Sequence, residues 1–328
     1  MSNVVVIGAT GNVGREILKI IYTSLKVSKI SALSSAKSIG KCVSFGNKNL
    51  PVYGIDNFDF YNTDIAFFVT NSMVSKKYIE NVKKQCRLIV DLSSYYRMYS
   101  EIPLLIPEVN IQDMSIYHKI VANPNCVVIS ILTAIKKLHD YAGIKKIILS
   151  TYQAVSGVGK IAMNDLYTQT KNKILSAFAD LEKKKSFAFN VIPSIDELTD
   201  SGFTKEEMKI ANEIQKILGA DISITATCAR VPVFIGHSMS INIEFDNNIS
   251  LADARKILLM TRGIRIPQLN ESEYFTSLEC VGSNNVFVSR IRSNTSNSLD
   301  LWIVADNLRK GAALNAVQLA KESIDKYM

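Results

Sequence analysis

A cysteine near the middle of the chain has the surroundings of a nucleophile. Cys126 follows Asn-Pro-Asn at 123–125 and precedes an apolar run at 127–132. Because proline is favoured at the start of a helix, this order predicts that Cys126 lies in a first helical turn, where the helix dipole favours the thiolate. A buried structural thiol would show the same spacing. Cys126 is therefore a candidate nucleophile, and its spacing alone leaves both interpretations open.

A histidine in the second half of the chain is a candidate acid or base. His237 follows an extended, proline-containing segment at 230–236, and Gly236 beside it allows another group to approach closely. Imidazole changes its charge near neutral pH, which suits general acid–base catalysis. A purely structural histidine is the alternative. His118 and His139 lie beside ordinary lysine and aspartate residues and give a weaker signal.

The N-terminal region contains a glycine motif that predicts a nucleotide site. An apolar run at 3–7 leads into GATGNVG at 8–14, and a helical apolar pattern follows. A glycine turn between a strand and a helix lets backbone N–H groups and the helix dipole meet a pyrophosphate. The GxxGxxG spacing differs from the common GxGxxG fingerprint, so an ordinary turn is the alternative.

The segment after the second predicted strand bears on the choice of dinucleotide. In motifs of this kind an acidic residue about 20 positions further on binds the ribose diol of NAD. Here residues 34–38 have the sequence SSAKS, which contains no acidic residue. Hydroxyls and a cation suit a 2′-phosphate, which favours NADP over NAD. A solvated, charged loop is the alternative.

Composition and charge narrow the class of protein. The chain has 328 residues, 47% of them hydrophobic, and a net charge of +8. The lysine clusters are scattered without aromatic interleaving, so we expect no nucleic-acid partner. Five cysteines without a CxxC pair indicate neither a disulfide framework nor a metal site. No apolar run approaches the roughly 18 residues of a membrane span, so we expect a soluble cytoplasmic protein without a membrane partner.

The spacing of apolar residues in the first part of the chain predicts an α/β domain. Strand-like runs lie at 3–7, 29–33, 64–70 and 87–92, with a helical pattern at 72–84. Their alternation is typical of a doubly wound parallel sheet of the Rossmann type. We therefore place a nucleotide-binding domain at 1–125. A final helix at 308–328 has a stripe of small residues, and we expect it to return to this domain.

Residues 126–307 predict a second domain of the α+β class. Polar and apolar residues alternate strictly at 238–245, which is typical of a half-exposed strand in an antiparallel or mixed sheet. Further strand-like runs lie at 145–152, 222–229, 286–292 and 299–305, and helical patterns lie at 160–182, 204–218 and 250–262. Capping-box spacing marks two of the helix starts, at Thr204 with Glu207 and at Ser250 with Asp253.

Several sequence blocks together resemble a known enzyme family. The blocks are GATGNVG at 8–14, NPNC at 123–126, TYQAVSG at 151–157, FNVIPSID at 189–196, EEMK at 206–209, ARVPVFIGHS at 229–238 and DNLRKGAALNA at 306–316. Their order and number resemble the aspartate-β-semialdehyde dehydrogenases over the full length of the chain.

The resemblance implies a fold, an activity and a set of partners. The activity is the NADP-dependent, reversible conversion of L-aspartyl-4-phosphate to L-aspartate 4-semialdehyde and phosphate. This reaction serves the biosynthesis of lysine, diaminopimelate, threonine and methionine. The resemblance also implies that residues 126–307 form a catalytic and dimerisation domain, and that the enzyme is a homodimer or a dimer-based homotetramer.

The resemblance further assigns roles to matching positions. The implied catalytic residues are Cys126 for a thioester, Gln153 for orienting the substrate and His237 as acid/base. The implied substrate contacts are Arg230 to the carboxylate, Glu206 to the ammonium, and Arg97 and Lys209 to phosphate. The implied cofactor contacts are Gly8, Thr10, Gly11, Asn12, Val13, Ser35, Lys37 and Ser38, with Ser156, Gly157 and Asn307 on the nicotinamide side. Without the resemblance, the spacing of Glu206 and Lys209 would be interpreted as an exposed i, i+3 ion pair on a helix.

The chain departs from the family's pattern at three places near the cofactor. Leu92 stands where asparagine is usual, residues 69–72 replace a small Ser-Ala-Gly type loop, and Lys37 replaces an arginine. A lysine contacts phosphate as a point charge without the arginine fork. The strength of the NADP preference is therefore open.

Two other functions are alternatives. An N-acetyl-γ-glutamyl-phosphate reductase shares the Rossmann half and a catalytic cysteine and histidine, but its acylated substrate would leave Glu206 without an ammonium partner. A catalytically silent NADP-binding sensor is the second. The joint presence of Cys126, Gln153 and His237 argues against a silent sensor.

Overall fold

The computed structural model describes residues 1–175, 186–268 and 273–327. Its chain divides into two compact units: unit 1 comprises Met1–Asn125 with Gly311–Met328, and unit 2 comprises Cys126–Lys310. Of the predicted helix at 160–182, the part at 176–182 lies outside the described residues, as does residue 328 of the predicted final helix.

Unit 1 is built on a mostly parallel sheet. Its strands are β1 (Ser2–Ile7), β2 (Val27–Ser34), β3 (Cys42–Phe45), β4 (Lys48–Gly54), β5 (Thr63–Phe68), β6 (Cys86–Asp91) and β7 (Ile120–Ala122), and its first helices are α1 (Asn12–Ser24), α2 (Ser72–Val82) and α3 (Pro107–Asn110). The strand order is β3-β4-β2-β1-β5-β6-β7. All pairs are parallel except the β3–β4 hairpin. The predicted Rossmann-type sheet is confirmed, and the hairpin is an addition that the apolar pattern did not indicate.

Unit 2 is built on a mixed sheet with helices. Its helices are α4 (Cys126–Ala142), α5 (Lys160–Leu175), α6 (Lys205–Leu218), α7 (Leu251–Met260) and α8 (Ser277–Cys280), and its strands are β8 (Ile144–Gln153), β9 (Ser223–Arg230), β10 (His237–Phe245), β11 (Ile264–Arg265), β12 (Val286–Arg292) and β13 (Ser298–Ala305). The strand order is β11-β12-β13-β10-β8-β9. The β8–β9 and β11–β12 pairs are parallel, and the others are antiparallel. The predicted α+β class with a mixed sheet is confirmed.

The C-terminal segment packs on the sheet of unit 1. A π-helical turn at Arg309–Leu314 precedes α9 (Asn315–Tyr327), where the sequence predicted a helix continuous from 308. Ala316 and Ala320 of α9 belong to the same buried cluster as Ile17 of α1. The Asn315 amide donates hydrogen bonds to the Leu105 carbonyl oxygen and the Asn123 Oδ1. Small side chains and a buried amide thus hold α9 close to the rest of unit 1.

Two glycines between β1 and the first turn of α1 have different structural roles. A Cβ atom on Gly14 would lie 2.2 Å from the Gly8 carbonyl oxygen and 2.8 Å from the Ala9 Cα, so only glycine lets α1 pack on the loop that follows β1. A Cβ atom on Gly11 would lie 3.4 Å from the same oxygen, and the φ of Gly11 is −73°. Gly14 is therefore required by packing, whereas Gly11 leaves the helix N-terminus open to an approaching group.

We expect Gly14→Ala to destabilise the protein by about 2 to 3 kcal/mol, because the added methyl group overpacks a backbone contact. Gly11→Ala is the matched control and should cost less than about 1 kcal/mol, since alanine is only a poorer helix N-cap. Urea unfolding followed by circular dichroism measures both. Equal losses for the two variants would contradict this account of the loop.

Candidate active site

Strand register gathers three of the predicted site residues at one edge of the unit 2 sheet. In the parallel β8–β9 pair, Gln153 is the register partner of Arg230. In the antiparallel β8–β10 pair, Ser238 is the partner of Tyr152, so β10 begins where β8 ends. Gln153, Arg230 and His237 therefore lie at neighbouring strand ends, although 84 residues of sequence separate the first from the last.

The backbone of Ala154 holds two of these side chains at once. Its N–H donates to His237 Nδ1 at 3.0 Å, and its carbonyl oxygen accepts from Arg230 Nη1 at 2.8 Å. Ala154 is fully buried, and Arg230 and His237 are 8% and 1% exposed. Main-chain hydrogen bonds from Val155 to Val233 and from Ser156 to Phe234 fix the same loop. Ala154 has no reactive side chain, and the sequence analysis singled it out only as part of the block at 151–157.

The hydrogen bond from Ala154 fixes the protonation pattern of His237. A backbone N–H can only donate, so Nδ1 is an acceptor and the neutral ring carries its hydrogen on Nε2. Burial, and secondly the charge of Arg230, lower the pKa of His237 to about 3. Within the part of the chain that the structure describes, Nε2 has no hydrogen-bond partner. The neutral imidazole therefore offers one buried Nε2–H to a bound molecule.

The predicted nicotinamide-side residues surround the same imidazole. A Cβ atom on Gly157 would lie 3.3 Å from Arg230 Nη1 and 3.6 Å from His237 Nε2, so the exposed backbone of Gly157 borders both groups. The Asn307 amide contacts Ser156 Oγ and accepts from the Gly236 N–H at 3.0 Å. Asn307 and Ser156 are buried, and the Asn307 amide also fixes Gly236, which precedes His237.

Cys126 is the first residue of α4, as the sequence predicted. Its carbonyl oxygen accepts a hydrogen bond from Ser130 Oγ at 2.8 Å. The Arg230 guanidinium is subject to two opposing effects: burial lowers its pKa, and the nearby charges of Cys126 and Glu206 raise it. A cation at this position also favours a thiolate at Cys126.

The other cysteines have less suitable surroundings. Burial raises the pKa of Cys86, Cys228 and Cys280 to about 12 in each case, so these thiols stay protonated at neutral pH. Cys42 is exposed on β3 of unit 1. Half-buried Cys126 is thus the cysteine whose setting fits a nucleophile.

The first turn of α6 brings two more predicted residues to the site. Gln153 Nε2 donates to Glu206 Oε1 at 3.3 Å. Lys209 Nζ lies 4.0 Å from Glu206 Oε2 and donates to Asp196 Oδ2 at 2.5 Å. The hydrogen bond from Lys209 is the main cause that lowers the pKa of Asp196. Asp196 was singled out only as part of the block at 189–196, and its pairing with Lys209 was not predicted.

The predicted cofactor residues of unit 1 lie beyond the carboxyl ends of β1 and β2. Thr10 Oγ1 and Ser34 Oγ are 2.9 Å apart and join the two strand ends. Ser35 precedes a 3-10 turn at Ala36–Ser38, and the Lys37 side chain is exposed there. Gly11 is the N-cap of α1, so the first helical amides follow it directly. A bound dinucleotide fits this arrangement, since the close approach at Gly8 and Gly14 leaves the helix N-terminus to meet phosphate.

Arg97, the predicted phosphate ligand, also belongs to unit 1. It is 8% exposed, and its Nη2 donates to the Leu92 carbonyl oxygen at 3.0 Å. The buried Asp91 carboxylate accepts from Ser75 Oγ and from the Ser93 hydroxyl and N–H. Burial raises the pKa of Asp91 despite these hydrogen bonds. Asp91 thereby fixes the start of the loop that carries Arg97.

Over residues 1–175, 186–268 and 273–327, no group of three or more His, Cys, Asp or Glu residues could hold a metal ion. Over the same ranges, no helix has the length and apolar character needed to cross a membrane.

Family models match both halves of the chain. The model described as "Semialdehyde dehydrogenase, NAD binding domain" matches residues 3–117, and "Semialdehyde dehydrogenase, dimerisation domain" matches residues 135–310. The class is thus a two-domain semialdehyde dehydrogenase.

Curated relatives and solved structures narrow the class. An aspartate-semialdehyde dehydrogenase of Rickettsia conorii is 44% identical over 99% of this chain and 98% of its own, and one of Aquifex aeolicus is 40% identical over 97% and 96%. The crystal structure of aspartate semialdehyde dehydrogenase II from Vibrio cholerae is 35% identical, with a TM-score of 0.95 over all of both chains. The chain belongs to the aspartate-semialdehyde dehydrogenase family, as its sequence blocks predicted.

The protonation state of His237 makes folding stability depend on pH. Its folded-state pKa of about 3 lies below the usual 6.5, so the unfolded chain binds more protons and stability falls as the pH falls through 6.5. Between pH 8 and pH 5 this residue should remove about 2 kcal/mol. His237→Gln lacks the titration, so the wild type should lose that much more than the variant in urea unfolding. Parallel losses would contradict a buried neutral imidazole.

Proposed function

We propose that this chain is an NADP-dependent aspartate-semialdehyde dehydrogenase. It would oxidise L-aspartate 4-semialdehyde in the presence of phosphate to L-aspartyl-4-phosphate, and catalyse the reverse reaction in amino-acid biosynthesis. The observation that carries the proposal is the cluster of Gln153, Arg230 and His237 at adjoining strand ends, with Glu206 beside it. The V. cholerae enzyme has also been solved "complexed with ASA", with a TM-score of 0.94 and 35% identity to this chain.

Cys126 is assigned the covalent steps. Its thiolate sulfur adds to the aldehyde carbon, and the carbonyl oxygen takes up the negative charge. Bound NADP supplies the hydride acceptor. The carbon–hydrogen bond of the adduct breaks with both of its electrons leaving as hydride, the carbon–oxygen double bond reforms, and Cys126 carries a thioester. A phosphate oxygen then attacks the thioester carbonyl, the carbon–sulfur bond breaks, and the thiolate returns.

His237 is assigned the proton-handling role at the reacting oxygen. Because Nδ1 is held by Ala154, Nε2 is the nitrogen available to substrate. Its hydrogen can stabilise the oxygen while that oxygen is negatively charged. The loop that holds Nδ1 also keeps the ring from rotating, so the donor is fixed before substrate arrives.

Arg230 and Glu206 are assigned the two charged ends of the amino acid. A guanidinium has five N–H donors, and Ala154 takes one of them, so the others can bind a carboxylate. Glu206 faces Gln153 and is largely buried, which strengthens its attraction for an ammonium group. An acylated amine would lack that charge, which disfavours the reductase alternative.

Lys209 in unit 2 and Arg97 in unit 1 are each proposed to bind phosphate. Lys209 is about one-third exposed and already pairs with Asp196, so a phosphate would share this cation with a carboxylate. The partial exposure leaves room for an incoming anion. Arg97 would provide the planar, bidentate contact that suits a phosphate.

The two units are assigned separate duties. We propose unit 1 as the NADP-binding domain, with Gly8, Thr10, Gly11, Asn12 and Val13 at the pyrophosphate and Ser35, Lys37 and Ser38 at the 2′-phosphate. We propose unit 2 as the catalytic and dimerisation domain of a homodimer or a dimer-based homotetramer. The dimerisation-domain model over residues 135–310 supports the dimer. Free thiols at five positions support a reducing compartment, the cytoplasm.

The function is tested by turnover and by trapping the thioester. The wild type given aspartate semialdehyde, phosphate and NADP should produce NADPH, and omission of phosphate should stop it after at most one equivalent. Cys126→Ser should lose at least about 10³-fold in kcat, because a serine alkoxide is far harder to form than a thiolate. Cys42→Ser is the control and should keep full activity. Mass spectrometry showing a thioester on another cysteine would overturn the assignment.

The cofactor choice is tested at the 3-10 turn after β2. Lys37→Ala should raise the Kd for NADP by about tenfold, because one charge-assisted contact to the 2′-phosphate is lost at an exposed site. The Kd for NAD should stay within twofold. Lys41→Ala removes a neighbouring exposed lysine and should affect neither. Equal losses of NADP and NAD binding would show that Lys37 does not contact the 2′-phosphate.

A further inference from the structure

Two adjacent glutamates at the start of α6 point to different partners. Glu206 meets the Gln153 amide at the strand ends. The Glu207 carboxylate instead accepts two backbone hydrogen bonds, from the Thr204 N–H to Oε2 at 2.7 Å and from the Cys228 N–H to Oε1 at 2.8 Å. Both glutamates are 8% exposed. Glu206 thus belongs to the candidate site, whereas Glu207 is occupied by the backbone.

The bond to Thr204 belongs to a capping box. Thr204 Oγ1 accepts from the Glu207 N–H at 3.3 Å, and the Glu207 carboxylate accepts from the Thr204 N–H at 2.7 Å. This reciprocal pair satisfies two backbone donors at the N-terminus of α6. The capping box therefore fixes the residue at which α6 begins.

The bond to Cys228 ties the helix to the sheet. β9 is the last strand in the sheet order, so its outward backbone groups need partners outside the sheet. Glu207 takes the Cys228 N–H, and Ile192 exchanges two backbone bonds with Arg230 two residues further on. The Glu207 carboxylate therefore connects the helix that carries Glu206 to the strand that ends in Arg230.

We infer that Glu207 is a positioning residue, which sets the distance between the ammonium-binding Glu206 and the carboxylate-binding Arg230. The inference rests on the proposed function of those two residues. One small amino acid has to meet both groups, so a shift of about an ångström at either end misaligns the aldehyde with Cys126. Each oxygen of the Glu207 carboxylate accepts one backbone hydrogen bond, one from the start of α6 and one from β9.

The inference predicts that charge and length both matter at this position. In Glu207→Gln one end of the amide can still accept, but its NH₂ group then meets the second backbone N–H, and two donors repel. In Glu207→Asp the shorter carboxylate can keep the capping box and no longer reaches Cys228. Both variants should loosen α6 from β9.

The test is steady-state kinetics well below the unfolding temperature of each variant. Glu207→Gln and Glu207→Asp should lower kcat/KM for the semialdehyde by tenfold or more and raise the KM for phosphate, since Lys209 lies on the same helix. The Kd for NADP should stay within twofold. Asp253→Asn is the matched control, because Asp253 is also the third residue of a helix of unit 2 and its N–H donates to the capping Ser250. It should leave the kinetics unchanged.

A second control separates the cap from the strand contact. Thr204→Ala removes the hydroxyl of the capping box but leaves the Glu207 bond to Cys228, so it should lower the melting temperature and preserve kcat/KM within threefold. If Glu207→Gln fails to fold, Glu207→Asp and Thr204→Ala decide the question by themselves. Glu207 variants with wild-type kcat/KM, or Thr204→Ala with an equal kinetic loss, would overturn the inference. Failure of the wild type to oxidise the semialdehyde would instead overturn the proposed function.

Discussion

The candidate site of unit 2 depends on the backbone of one buried alanine. Ala154 lies just beyond the end of β8, where its N–H fixes an imidazole and its carbonyl oxygen fixes a guanidinium. Both bonds exist only because β9 ends and β10 begins at the level where β8 ends. A main-chain N–H can only donate and a main-chain carbonyl oxygen can only accept, at any pH. Ala154 therefore sets the tautomer of His237 and the direction of the Arg230 side chain.

Burial leaves these two bases in different charge states at neutral pH, with Arg230 cationic and His237 neutral. Desolvation disfavours the cationic form of both, but a guanidinium retains its proton even when its pKa is lowered, whereas imidazole loses it. The result is a permanent cation beside a neutral hydrogen-bond donor. The cation attracts a carboxylate and supports a thiolate, and the neutral donor is directed at an oxygen. The neutral state of His237 depends in part on Arg230, because the charge of Arg230 contributes to the low pKa of His237.

The local sequence was sufficient to predict those elements whose structure depends on a short range of residues. The strand, glycine turn and helix at the N-terminal end follow from apolar spacing and from glycines without Cβ atoms, and the structure has them at β1 and α1. The parallel sheet, the second α+β domain and the helix start at Cys126 were predicted for similar reasons. The β3–β4 hairpin and the π-helical turn before α9 were not predicted. The Gly46-Asn47 pair between β3 and β4 is a typical two-residue hairpin turn, which apolar spacing alone does not reveal.

The sequence by itself determined which residue types were available: the thiol at a helix start, the block containing two glutamates, the acid-free segment after β2 and the family to which the chain belongs. Only the tertiary structure decided which nitrogen of His237 carries the hydrogen, which backbone groups donate to the Glu207 carboxylate and which carboxylate pairs with Lys209. The physical reason is that these choices depend on backbone donors and acceptors brought together by strand register. Every residue has the same peptide groups, so the sequence does not distinguish the ones that come to lie beside a functional side chain.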